Sequence, residues 1–220
     1  MKITINPLFE LIAQGEHQQQ DFKFCINDSR KIARSLVAFA NSDGGRLLVG
    51  VKDNGKIAGV RSDEEYYMVE AAANIYSKPR IEFEVQLWDA DGKTVLEIKV
   101  KPSKNRPHFA ENEERKWVAY IRKKDQNVLA NNVLLESWEM IKSSEGLLFK
   151  YDEYRKMLVE YLSINETISL SKYCMLAKIE RNYAEKVLAE FLSMGCIHIN
   201  LESTPVQYSL NSQFDFGKLT

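Results

Sequence analysis

The sequence predicts an α+β protein, with a mixed sheet-and-helix domain over residues 1–145 and a small, mostly helical domain over residues 146–220. Three observations carry that expectation. Residues 36–55 string together a helix end, a glycine turn, an apolar run and a tight turn. Residues 81–87 and 96–100 alternate with the period of strands. Beyond residue 150, three apolar stripes at helical spacing precede two short strand-like segments.

In chain order, residues 20–26 come first: alternation places Phe22, Phe24 and Ile26 on one strand face, and Asp21, Lys23 and Cys25 on a polar one. Ile32, Ala33, Leu36, Val37, Phe39 and Ala40 then recur as on an amphipathic helix, behind Asn27 or Asp28 as N-cap. Gly44 and Gly45 supply a turn, and residues 47–51 are apolar without interruption, as in a strand covered on both faces. Asp53-Asn54-Gly55 closes a tight hairpin before residues 57–60.

A helix follows over 63–76, and residues 81–87 form a half-buried strand. After the turn Asp89-Ala90-Asp91-Gly92, a returning strand points Leu96, Ile98 and Val100 inward and Glu97, Lys99 and Lys101 outward. A loop with Pro102 and Pro107 leads to a strand at 117–122. Leu134, Trp138 and Ile141 line a helix that closes the first domain, and Lys142-Ser143-Ser144-Glu145-Gly146 is a polar boundary.

In the second domain, Tyr154, Leu158, Tyr161 and Leu162 form one stripe. Ser169 caps a helix with Tyr173, Leu176 and Ala177. Ala184, Val187, Leu188, Phe191 and Leu192 form a third helix, ended by Gly195. Residues 197–199 and 206–210 flank the turn Ser203-Thr204-Pro205 as a hairpin.

A hydrophobic content of 45% is enough for real cores, and a net charge of -1 over the chain gives no global field to draw in a polyanion or a membrane. Cys25, Cys174 and Cys196 are odd in number and set among apolar neighbours, as expected of reduced thiols in a cytoplasmic protein. The first residues lack the apolar region of a secretory signal, and no run approaches a membrane span.

Glu16, the triplet Asp21-Phe22-Lys23, the run Ala38-Phe39-Ala40-Asn41-Ser42-Asp43-Gly44-Gly45, the pair Gly50-Val51, Asp53 and Gly55 together resemble the Schlafen AlbA-like domain family. Arg106-Pro107-His108 and Tyr120-Ile121-Arg122 resemble two later markers, with Lys123-Lys124-Asp125-Gln126 standing where the family usually carries a Gly-Ser pair. The resemblance implies an α+β fold over about residues 10–142. In some relatives, acids at the positions of Glu16, Asp21 and Asp53 bind a divalent metal, magnesium or manganese, for RNA cleavage, which sets a metal-dependent ribonuclease as the enzymatic alternative. Here Asp21 stands where those nucleases have Glu, and Asp53 is equally explained as a turn residue. ATP binding is implied for some relatives. Gly44-Gly45 is followed by Arg46-Leu47, however, so this chain has no P-loop, and outside the ribonuclease reading no cofactor is expected. The histidines His17, His108 and His198 have no zinc-site spacing.

Residues 99–124 carry nine basic residues against three acids, interleaved with His108, Phe109, Trp117 and Tyr120, a composition suited to phosphates and stacked bases as well as to a solvated hairpin. Lys101, Lys104, Arg106, Arg122, Lys123 and Lys124 are the candidate nucleic-acid contacts there; Lys23 is a further candidate, although it most simply forms a surface ion pair with Asp21.

The second domain resembles a winged helix-turn-helix, whose third helix would present Arg181, Asn182, Tyr183 and Lys186 to DNA beside the repelling acids Glu185 and Glu190. With eight basic residues against nine acidic, this domain also suits a protein-docking role, that of a non-catalytic adaptor. The pairing of domains resembles bacterial transcriptional regulators. The expectation is a homodimeric, cytoplasmic DNA- or RNA-binding protein with no membrane partner.

Overall fold

In a computed structural model, residues 6–143 and 149–214 are described. The chain divides into two compact units, Met1–Ala130 and Asn131–Thr220. The expected boundary at 145/146 lies outside the described residues.

The first unit opens with helix α1 (Pro7–Ala13), capped by Asn6, whose side chain accepts from the Leu8 N–H. Strand β1 (Gln20–Lys23), helix α2 (Ser29–Asn41), strand β2 (Gly45–Val49) and helix α3 (Glu64–Asn74) follow, then the short β3 (Ser77–Lys78) and the long hairpin of β4 (Phe83–Ala90) and β5 (Lys93–Val100). β6 (Phe109–Glu111), β7 (Trp117–Val118), β8 (Tyr120–Lys123) and β9 (Gln126–Leu129) complete it. The strand expected over 117–122 is thus broken at Ala119. Likewise, the hairpin expected after Asp53-Asn54-Gly55 is reduced to a single bridge between Val51 and Ile57.

The main sheet has the order β1-β2-β5-β4, with β1 parallel to β2 and the other pairs antiparallel. Both faces of its centre are covered, which is why residues 47–51 are apolar without alternation. On one face Leu47, Val49, Ile98 and Val100 meet Leu36, Val37 and Phe39 of α2 and Val69, Ala72 and Ala73 of α3. On the other, Phe22, Leu48 and Val95 meet Leu8. The remaining strands form the sheet β3-β6-β7 and the hairpin β8-β9.

Helix α2 buries nine of its thirteen residues, and the glycine motif after it exists to let the chain pass close by. A Cβ at Gly45 would lie 2.3 Å from the Phe39 ring, and Gly44 combines φ +74 with the Val100 carbonyl 2.7 Å from the same imagined atom. Asn41 is buried. Its amide donates to the carbonyls of His108 and Tyr120 at 2.8 and 2.9 Å and accepts from the His108 N–H at 2.8 Å, so it fastens the helix end to two later segments.

The second unit contains α4 (Asn132–Lys142), α5 (Glu153–Ile164), β10 (Ile168–Ser169), α6 (Leu170–Ala177), α7 (Arg181–Ser193), β11 (Ile197–Asn200) and β12 (Gln207–Leu210). Its small antiparallel sheet runs β10-β12-β11. Leu158, Tyr173, Ala184, Val187, Leu188, Phe191, Ile197 and Tyr208 make the core. Ser169 caps α6 as expected, accepting from the Lys172 N–H. Helix α4, expected to close the first unit, instead packs along α7 and gives Val133 to the second core, while Ile141 of the expected stripe is exposed. No helix among the described residues is long and apolar enough to cross a membrane.

Candidate nucleic-acid interface and the buried polar networks

The acidic motif is a folding network. Because β1 alternates, Asp21 and Lys23 do share a face, but it is the face that α2 covers, and Asp21 is only 4% exposed. Lys23 Nζ lies 2.9 Å from Asp21 Oδ2, Ser35 Oγ of α2 donates to the same oxygen at 3.3 Å, and Arg122 approaches the other at 4.0 Å. The surface ion pair expected of Lys23 is therefore half inside.

Glu16 accepts from the Phe22 N–H at 2.9 Å. Burial and a hydrogen bond with Asp21 push its carboxyl above the usual range, against the pull of the Phe22 amide. Asp53 is elsewhere, in an exposed turn closed by the Gly55 N–H on the Lys52 carbonyl. Among the described residues no group of three His, Cys, Asp or Glu side chains could hold a metal ion. The expected set Glu16, Asp21 and Asp53 does not fit magnesium or manganese: two acids meet, one of them is already paired with Lys23, and the third is absent.

Two expected phosphate contacts lie inside. Arg122 is 3% exposed; its guanidinium donates to the carbonyls of His17 and Gln20 at 3.1 and 3.2 Å and to Asn127 at 3.0 Å, and it stands over the Phe39 ring. Burial holds its pKa below the ordinary guanidinium value. Arg106 is half-buried and donates to the carbonyls of Ala40 and Ser42, at the negative dipole end of α2. Both arginines answer backbone carbonyls; Arg122 is buried, while Arg106 keeps part of its guanidinium at the surface. His108, expected among the stacking groups, is buried as well, with one ring nitrogen 2.9 Å from the Pro79 carbonyl and the other 2.6 Å from Ser103 Oγ.

The other lysines separate into two places. Lys101 and Lys104 border a groove of about 580 Å³ floored by Ala40, Ser103 and His108, together with Lys99 and Arg80. Lys101 is ion-paired with Glu84, which raises its pKa, and Lys99 neighbours the fully buried Glu97 at 3.6 Å. Lys104 is exposed and has no ion pair among the described residues. Lys123 and Lys124 sit at the β8-β9 turn, where the Gln18 side chain accepts from the Lys124 N–H and donates to the Arg122 carbonyl. Lys123 and Lys124 are not among the groove's lining residues. Sequence reading missed Arg80, whose place in the groove depends on the β3–β4 connection and leaves no local signal. It also placed Glu97 outward, where Trp88 Nε1 donates to it at 2.7 Å.

In the second unit, α7 keeps Arg181, Asn182 and Lys186 exposed. Tyr183 corrects the expectation: its hydroxyl donates to Asp152 at 3.0 Å and accepts from Arg155, and its ring meets Tyr154 edge-on. Glu185 and Glu190, expected to repel a polyanion, are both 4% exposed. Glu190 binds Arg155 at 2.5 Å, while Glu185 accepts from Arg181 at 2.9 Å and Asn132 at 3.1 Å. Burial opposes the Arg155 charge, but hydrogen bonds to Tyr183, Glu190 and Asp152 outweigh it and hold its pKa above the ordinary value.

A four-stranded mixed sheet with α2 and α3 on one face, and a glycine motif at the end of α2, defines an α+β domain of the Schlafen AlbA-like type. The Schlafen, AlbA_2 family profile matches residues 16–131, more than half of the chain, and the protein belongs to that family. No curated protein matches it. Among solved structures, the DIP2311 protein from Corynebacterium diphtheriae is 20% identical with a TM-score of 0.44, over 58% of this chain and 24% of its own. The chain thus spans about a quarter of that protein. The N-terminal domain of a protein related to ATP-dependent DNA helicase RecG, from Nitrosomonas europaea, is 20% identical with a TM-score of 0.37, over 57% of this chain and 94% of its own.

Proposed function

We propose that the chain binds nucleic acid and acts as a DNA-binding transcriptional regulator. The observation that carries the reading is the groove in the first unit, where Arg80, Lys99, Lys101 and Lys104 outnumber the two acids Glu82 and Glu84, paired with Arg80 and Lys101, although the net charge of the chain is near zero. Cations clustered on one concave surface are the electrostatic footprint of phosphate recognition. In the second unit we read α5, α6 and α7 with the β11-β12 hairpin as a winged helix. The order of three helices and a hairpin supports this, as does β10 pairing with β12. The burial of Glu185 and Glu190 favours the same reading, because pairing with Arg181 and Arg155 offsets the repulsion expected from them and leaves Asn182 and Lys186 outside beside the Arg181–Glu185 pair. Membership of the family, and the name of the RecG-related neighbour, are consistent with a nucleic-acid partner.

A titration of duplex DNA and structured RNA at two salt concentrations tests it. Binding should weaken with salt with a logarithmic slope of about -0.9 per duplex phosphate contacted, and replacing Arg80, Lys101 and Lys104 by glutamine should flatten that slope by roughly 2 to 3. An unchanged slope, or no binding to either polymer, removes the proposal.

A further inference from the structure

Strand β4 ends the main sheet: among the described residues it pairs only with β5. Eight residues long and regular throughout, it carries no lysine, proline or bulge to blunt the edge, and its charges are the acids Glu84 and Asp89. Val85 and Leu87, on the face that α2 and α3 cover elsewhere in the sheet, are 42% and 65% exposed. At its far end the Asn6 side chain donates to the Asp89 carbonyl at 2.7 Å, so the open stretch ends there.

We propose that this edge pairs antiparallel with β4 of a second copy, about a two-fold axis at Val85, to join two main sheets into one. The segment Phe83-Glu84-Val85-Gln86-Leu87 reads the same in chemical type in both directions. On the apolar face Val85 would meet Val85 and Phe83 would meet Leu87. On the other face Glu84 would meet Gln86, so no like charges oppose each other. An edge evolved for a foreign peptide has no need of this inner symmetry.

Sedimentation of the full chain, without nucleic acid, tests the pairing and is independent of the functional reading. The chain should be dimeric at micromolar concentrations. Leu87→Lys should raise the dissociation constant about a hundredfold or more, since each dimer loses two buried leucine side chains. Circular dichroism would show whether the fold persists. Gln86 is exposed and, among the described residues, its side chain has one hydrogen bond, a 3.4 Å contact with Lys99, so its variants should fold. Gln86→Glu should weaken the dimer and Gln86→Arg strengthen it, each by roughly 2- to 30-fold, because two symmetric pairs change. A monomeric wild type, a folded Leu87→Lys that stays dimeric, or two Gln86 variants moving the constant the same way would each overturn it.

Discussion

Each unit of the protein is organised around a buried arginine, and the two arginines do different work. Arg122 in the first unit answers mainly carbonyl oxygens, with Asp21 at the longer distance of 4.0 Å. Arg155 in the second is held by two carboxylates, Asp152 and Glu190, at 2.6 and 2.5 Å, and by the Tyr183 hydroxyl. The first is thus a clip between backbone segments distant in sequence, while the second is an ion-pair centre tying α5 to α7. In both cases basic and acidic residues that read as surface chemistry in the sequence are consumed in making the fold.

If the second centre is a true ion-pair network, breaking it should have the largest effect. Glu190→Ala leaves Arg155 buried with one partner lost and should cost about 3–5 kcal/mol in urea unfolding, whereas the double change Arg155→Met with Glu190→Leu should be close to neutral. Equal costs for the single and the double change would show that the two sites do not differ in this way. Arg122→Ala, which strands carbonyl acceptors but leaves its more distant charge partner Asp21 still paired with Lys23, should cost less, about 1–3 kcal/mol. Arg122→Lys should recover little of that loss, because the ammonium lacks the guanidinium fork.

A finer contrast concerns α7. Tyr183→Phe should cost about 0.5–1.5 kcal/mol through its lost hydrogen bonds and leave nucleic-acid affinity as it was. Lys186→Ala should do the reverse, as a salt-dependent binding titration would show. The smallest effect belongs to Glu16. Its raised pKa means that the folded state holds the proton more tightly than the unfolded chain, so protonation stabilises the fold, and that contribution fades as pH rises through and above the ordinary carboxylate value of 4.5. Glu16→Gln keeps an acceptor for the Phe22 N–H without the ionisation. Wild type should therefore lose stability relative to it between pH 4 and pH 7, and a constant difference across that range would contradict the raised Glu16 carboxyl.

Where local pattern decides structure, the sequence was enough to read it. Helix α2 with its Asp28 cap, the Gly44-Gly45 turn, strand β2 and the capped helices of the second unit all lie where periodicity and turn chemistry place them. Partnership was not legible. The stripe of α4 shows that it buries one face but not against what, and its match lies in α7, some fifty residues further on. Alternation on β4 marks a strand without saying that the sheet stops there. The site suffered most, because a basic residue looks the same whether its partner is a phosphate or, as for Arg106 and Arg122, a carbonyl oxygen brought near only by folding.

Lys124 occupies the tip of the β8-β9 turn with φ 58, at the place where relatives of this family usually turn through Gly-Ser. A lysine there endures a backbone shape natural to glycine, at a cost of about 1–2 kcal/mol. Main chain and ammonium therefore make opposite demands at one address. Lys124→Gly should tighten the fold whatever the ammonium does; if that group also touches phosphate, the same exchange should loosen the grip on DNA. A single residue then reports separately on endurance and on recognition.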